Sequence, residues 1–187
     1  MPICNRIVAG VMLCVSSIAV AQSADQLAAQ RVLGPHWRQV ARAAGLIFTG
    51  TVVSVRSHAP SQASPVATVE AKFLVDRGIA GAHSGQVVTI RAWAAVWPMQ
   101  RPMRRDGSLA LFFFYPPSAA GLTSPVGGPV GQVPLDAKGN VRDGWGVAPA
   151  NDPTRLLRPP QRTAVPLPQI RLSQLERAIR AAREEKE

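Results

Sequence analysis

Hydrophobic and polar positions alternate most cleanly between Val66 and Arg77. Ala67, Val69, Ala71, Phe73 and Val75 share one parity, and Thr68, Glu70, Lys72 and Asp76 share the other, broken only by Leu74. A period of two predicts a strand with one buried and one wet face. Gly78 to Gly85 interrupts the pattern with three glycines, and Val87–Trp93 resumes a β-rich run, so the pair reads as a hairpin. The rest of the chain is expected to pack around it.

Upstream, Trp37, Val40, Ala41 and Ala44 fall at i, i+3, i+4 and i+7, which predicts a helix over Ser23–Gly45 with Pro35 in a first turn and Gly45 as its stop. Trp37 then anchors that helix in the core. Leu46–Arg56 is dense in β-branched residues and carries Gly50 at its middle, where a strand bulges or bends. Ser57–Pro65 reads as an exposed loop.

Downstream, Ser108–Tyr115 is the most hydrophobic run after the first twenty-odd residues, and it is bounded by Gly107 and Pro116. Its length predicts a strand. Consecutive Phe112, Phe113 and Phe114 require cover on both faces, so the core should be deepest there. Pro116–Pro129 is turn-rich. Gly127-Gly128-Pro129 does not make a phosphate loop, because Pro129 has no N–H and no Lys-Ser or Lys-Thr follows. Val130–Val141 reads as a hairpin turning through Asp136–Asn140, with Pro134 placing its first strand at a sheet edge. Residues 143–169 form a proline-rich strap. Ser173 and Glu176 then suggest a capping box for a last helix, in which Leu175, Ala178, Ile179 and Ala182 make a narrow apolar stripe. That stripe suits either packing on the sheet or a partner-binding tail.

The amino terminus changes the reckoning. Met1–Ala21 has one early charge, Arg6, an apolar run Ile7–Val20 and the small pair Ala19 and Ala21, the pattern of a secretory signal cleaved before Gln22. The run is shorter than the roughly 20 residues that span a bilayer. Both cysteines, Cys4 and Cys14, lie in this segment, so the mature chain would have neither disulfide nor thiolate chemistry. The expected layout is signal 1–21, helical segment 22–45, β-domain 46–142, strap 143–169 and helix 170–187, in a periplasmic or secreted protein.

Without Arg6, 20 basic and 11 acidic residues leave a net charge of +9. Such a balance favours anionic neighbours, although 18 of the 21 basic residues in the chain are arginine, as a GC-rich genome would also give. The concentrated basic and aromatic segment follows Trp93, where Trp97, Arg101, Arg104 and Arg105 are the candidate contact-loop residues, arginines to an anion and indole to an apolar surface. The same loop also reads as a plain connection whose tryptophan plugs the end of a barrel.

Catalytic signals are sparse. His36, His58 and His83 stand singly, no Gly-x-Ser-x-Gly elbow is present, and Asp76, Asp106, Asp136, Asp143 and Asp152 fall at turns or strand ends. No cofactor or metal is expected, and a binding module is favoured over an enzyme with a non-local site.

The succession of a helix, Gly45-Leu-Ile-Phe-Thr-Gly-Thr-Val-Val-Ser-Val, then Val69…Phe73-Leu-Val…Gly78-Ile-Ala-Gly…Gly85-Gln-Val-Val-Thr-Ile and Gly107-Ser-Leu-Ala-Leu-Phe-Phe-Phe resembles the netrin-like domain of the tissue inhibitors of metalloproteinases, and secreted bacterial proteins built similarly. The resemblance covers about Leu46–Val141 and implies an OB-type barrel. No functional residue carries over, since those inhibitors chelate zinc through a disulfide-linked N-terminal cysteine and this mature chain would begin at Gln22. The expected fold is all-β, a small OB-like β-barrel of five or six strands with flanking N- and C-terminal helices. The expected function is an exported binding module for a protein or an envelope component. Polyanion binding, to acidic glycan, lipid headgroup or, least in keeping with export, nucleic acid, stands as the alternative.

Overall fold

The structure, a computed structural model, describes residues 24–60, 65–95, 108–142 and 169–185. The expected signal segment 1–21, residues 143–168 of the expected strap, and the contact-loop candidates Trp97, Arg101, Arg104 and Arg105 lie outside the described residues. Two helices open the described chain, α1 (24–33) and α2 (Trp37–Ala43). The single helix expected over 23–45 is therefore divided. Gly34 adopts a left-handed φ of +86° and donates its N–H to the Gln30 carbonyl at 2.8 Å, a glycine C-terminal stop. Pro35 falls in the intervening turn rather than in a helical first turn. Trp37 is buried, as its spacing predicted.

At the far end, α3 (Leu172–Glu184) buries Leu172, Leu175, Ala178, Ile179 and Ala182 against α1, α2 and the sheet. The apolar stripe is thus core, not a free tail. The helix starts earlier than the Ser173 cap assumed. Arg171 takes the N-cap position, its N–H donating to Gln174 Oε1 at 3.0 Å, and Glu176 instead meets Arg77 of the sheet at 3.2 Å. Arginines clasp the helices together. Arg183 Nη1 donates to the carbonyls of Ala41 (2.8 Å) and Ala44 (2.7 Å), while Arg42 Nε donates to that of Ala182 at 2.8 Å. Each guanidinium meets the orphan carbonyls and partial negative charge at the other helix's C-terminus. Arg177 binds Asp25 of α1 through both carboxylate oxygens, at 2.7 and 2.9 Å, which holds that guanidinium above its ordinary pKa.

Five described strands, β1 (Leu46–His58), β2 (Thr68–Ala80), β3 (Val87–Trp93), β4 (Ala110–Phe114) and β5 (Gln132–Pro134), form one antiparallel sheet in the order β3-β2-β1-β4-β5. The β2–β3 hairpin is where the alternation placed it, with Val69, Ala71, Phe73 and Val75 buried and Leu74 exposed. Pro134 sits on the edge strand β5, as expected. Gly50 marks a bulge. The register with β2 shifts between Thr49 and Gly50, and a Cβ on Gly50 would run into the carbonyl of Leu74. Asp136 organises the turn after β5, accepting from the N–H groups of Lys138 and Asn140 at 2.8 Å each. Those donors, Asn140 foremost, hold its carboxyl below the usual range.

The sheet has a core on each face. Ile47, Leu111, Phe113 and Val133 join the helices in one cluster. On the other face Phe48, Phe73, Phe112 and Phe114 gather with Val52, Val88 and Ile90. The triple phenylalanine is thus split between faces, as its spacing required. The second cluster reveals the curl of the sheet. Phe73 of β2 and Phe112 of β4 lie on strands separated by β1, yet their ring centroids are 4.9 Å apart at 67°. The sheet therefore wraps around this cluster, with bulges in β1 absorbing the bend. Among the described residues the sheet does not close into a barrel. Among the described residues β3 and β5 are edges, and no ladder joins them.

Candidate functional site

The curl brings the outer edge of β3 to the segment that follows β4. There the chain turns back at Gly121, whose φ is +70°, and runs beside the end of β4. Tyr115 N–H donates to the Ser124 carbonyl at 3.0 Å, and Phe114 pairs with Pro125. One backbone hydrogen bond spans the gap, from Thr123 N–H to the Arg91 carbonyl of β3 at 2.8 Å. A single bond in place of a ladder leaves a seam, and at the seam lies an open groove of about 370 Å³.

Trp93, Tyr115, Pro116, Ala120, Leu122 and Thr123 supply most of its wall. Trp93 is 52% exposed and Tyr115 41%, large apolar surface left at a rim rather than tucked inside. Two of the hydroxyls nearby are tied to the frame. Thr123 Oγ1 donates to the Tyr115 carbonyl at 2.6 Å, and Ser118 Oγ accepts from Leu122 N–H at 3.2 Å. The groove therefore offers shape and aromatic surface, with two backbone turns held rigid behind it. Such concave apolar surface with a few fixed polar groups is the usual form of a ligand site.

The alternation of β3 sets what stands beside the groove. Val88, Ile90 and Ala92 point into the core, so Val87, Thr89, Arg91 and Trp93 share the outer face. Cross-strand register extends that face into rows, Thr51–Leu74–Val87, Ser54–Lys72–Thr89 and Arg56–Glu70–Arg91, the last adjoining Trp93. Residues opposite one another in a ladder share a face. The helices cover the sheet at the start of β1, the end of β2, β4 and β5, through Ile47, Ile79, Phe113 and Val133, whereas the residues of these rows are exposed or partly exposed. Among the described residues, Arg56, Lys72 and Arg91 form no ion pair, while Arg42 and Arg77 pair with α3 and its neighbour Glu185, and Arg177 of α3 pairs with α1.

Other candidates disperse. His36, His58 and His83 are all exposed, on α2's N-cap, the end of β1 and the β2–β3 turn respectively. His83 N–H donates to Gln86 Oε1 at 3.1 Å, an ordinary turn contact. Among the described residues, no group of three or more His, Cys, Asp or Glu side chains could hold a metal ion, and no helix is long and apolar enough to cross a membrane. The sequence reading missed the groove, although one signal for it was present. Trp93 occupies the wet parity of its strand, where an indole has no core to enter. No protein-family model, curated protein or solved structure matches the chain.

Proposed function

We propose that the chain is an exported, non-enzymatic binding module that takes a protein or envelope component at the seam of an OB-like barrel left open on one side. The half-exposed Trp93 and Tyr115, both lining the groove, carry this reading. Aromatic side chains in a preformed apolar depression make strong contacts at little conformational cost, because their few rotamers are already restricted by the frame. Among the described residues, no histidine and no carboxylate lines that surface.

The test compares immobilised residues 22–187 with the Trp93→Ala and Tyr115→Ala variants for retention of components from an envelope extract, after circular dichroism has shown equal folding. A component held by the wild type and released by both variants is the expected result. Equal retention by all three would move binding away from the groove and overturn the reading.

A further inference from the structure

The row beside the groove narrows the chemistry of what it binds. Arg56, Glu70 and Arg91 stand side by side on β1, β2 and β3, with Lys72 and the hydroxyls of Ser54 and Thr89 in the next row and Trp93 two residues beyond Arg91. Adjacent strands are about 4.8 Å apart, so the two guanidinium stems rise roughly 10 Å from each other with a carboxylate between them. We propose that this face and the groove together bind an acidic polysaccharide chain, one sugar ring stacked on Trp93 and its carboxylates met by Arg91 and Arg56. This rests on the reading of the groove as the binding site and names the class of envelope component it takes.

Three observations select a glycan. The first is charge: three cations without ion-pair partners among the described residues attract an anion and can engage carboxylates through paired N–H donors. The second is Glu70, which sits inside the cationic row. A ligand that meets this row with acceptors alone, such as a layer of phosphate headgroups, leaves Glu70 without a donor. An acidic sugar chain carries hydroxyls beside its carboxylates, and a hydroxyl donates to Glu70. The third is the edge. A peptide adding as a strand to β3 needs the outward-pointing backbone of Arg91, and the carbonyl of that residue already accepts from Thr123. A ligand lying across side chains, rather than along the edge, meets no such obstruction. An exposed indole at the rim matches the apolar C–H face of a sugar ring.

The probe is a galacturonic acid hexamer, titrated calorimetrically into residues 22–187, with the fully methyl-esterified hexamer, a glutamate decapeptide, a single-stranded oligonucleotide and anionic lipid vesicles as competitors. Binding of the acid hexamer that weakens with salt and is absent for the ester is expected. Arg91→Gln and Trp93→Ala should each weaken it about tenfold or more, the scale of losing a charge-assisted hydrogen bond or an aromatic contact. Arg180→Gln, which removes the same charge from an exposed site on α3, should leave it within about twofold. Equal weakening by Arg180→Gln, tighter binding of decapeptide, oligonucleotide or vesicles, or no binding of the acid hexamer overturns the proposal. In each of those cases Trp93-dependent retention from envelope extract still stands as a separate result, so the glycan assignment can fail while the groove remains the binding site.

Discussion

Replacing Phe73 with alanine tests the curl of the sheet directly. Its ring is fully buried and meets three others, Phe48 at 5.6 Å and 73°, Phe112 at 4.9 Å and 67°, and Phe114 at 5.6 Å and 63°, all edge-on. A phenylalanine on a flat, open sheet face is partly wetted, and truncating it forfeits about 1–2 kcal/mol of burial. At the centre of a closed cluster the loss includes the cavity left behind, about 3–5 kcal/mol, and three edge-to-face contacts place Phe73 in the upper part of that range. Most domains of this size are stable by about 5–15 kcal/mol, so the variant should be folded but close to its limit. Phe73→Leu keeps most of the volume and loses mainly ring geometry, for a cost below about 1.5 kcal/mol. Urea denaturation of residues 22–187, followed by far-ultraviolet circular dichroism, separates these outcomes through the midpoint at constant slope. A loss under about 2 kcal/mol for Phe73→Ala would refute the wrapped sheet. A leucine variant as damaged as the alanine one would show that ring geometry, not filled volume, dominates the cluster.

Other perturbations read other parts of the structure. Gly50→Ala drives a Cβ into the Leu74 carbonyl and should lower the urea midpoint by about 1–3 kcal/mol equivalent, whereas Gly85→Ala, with open space but a φ of +79°, tests backbone strain alone. Arg183→Ala strips two carbonyls at the end of α2 of their donor and should cost about 1–2 kcal/mol, measured in the same way, with Arg183→Lys recovering only part of it. The Asp136 carboxyl titrates below 3.8 in the folded chain, so its stabilising effect is complete above that value and disappears as pH falls through the lower, folded value. The melting temperature of Asp136→Asn should therefore lie below that of wild type at neutral pH and converge with it on strong acidification; a constant gap would show that the turn does not depend on the charge.

The parts of the fold legible in the sequence were those in which a single element declares its own environment. The alternation of Val69 to Val75 marked one buried face, the phenylalanine triplet demanded two, and Leu175, Ala178, Ile179 and Ala182 marked the contact side of α3. The break at Gly34 was harder to read because the spacing that marked the helix, Trp37, Val40, Ala41 and Ala44, lies wholly after it, and a glycine ahead of a helical pattern does not announce that it will turn left-handed. The start of α3 was misplaced because Ser173 and Glu176 match the residue types of a capping box, while Gln174 supplies the oxygen that caps it. The seam was invisible for a different reason. It is made by a backbone N–H of Thr123 and a backbone carbonyl of Arg91, groups that every residue but proline carries, so no side-chain pattern records their meeting. Barrel closure is a property of the ladder between edges, and composition says nothing about whether that ladder completes.

The reciprocal arginine clasp has a consequence in time. The core between the helices and the sheet is begun by α1 and α2, before the sheet, and completed by α3, whose contacts with α2 join residues 140 positions apart, such as Arg42 and Ala182. Until Leu172 and the residues after it are available, Ile47, Phe113 and the inner sides of α1 and α2 have no lid. A chain made from its N-terminus therefore holds this surface unfinished while the 140 positions from Arg42 to Ala182 are added, and α3 closes it.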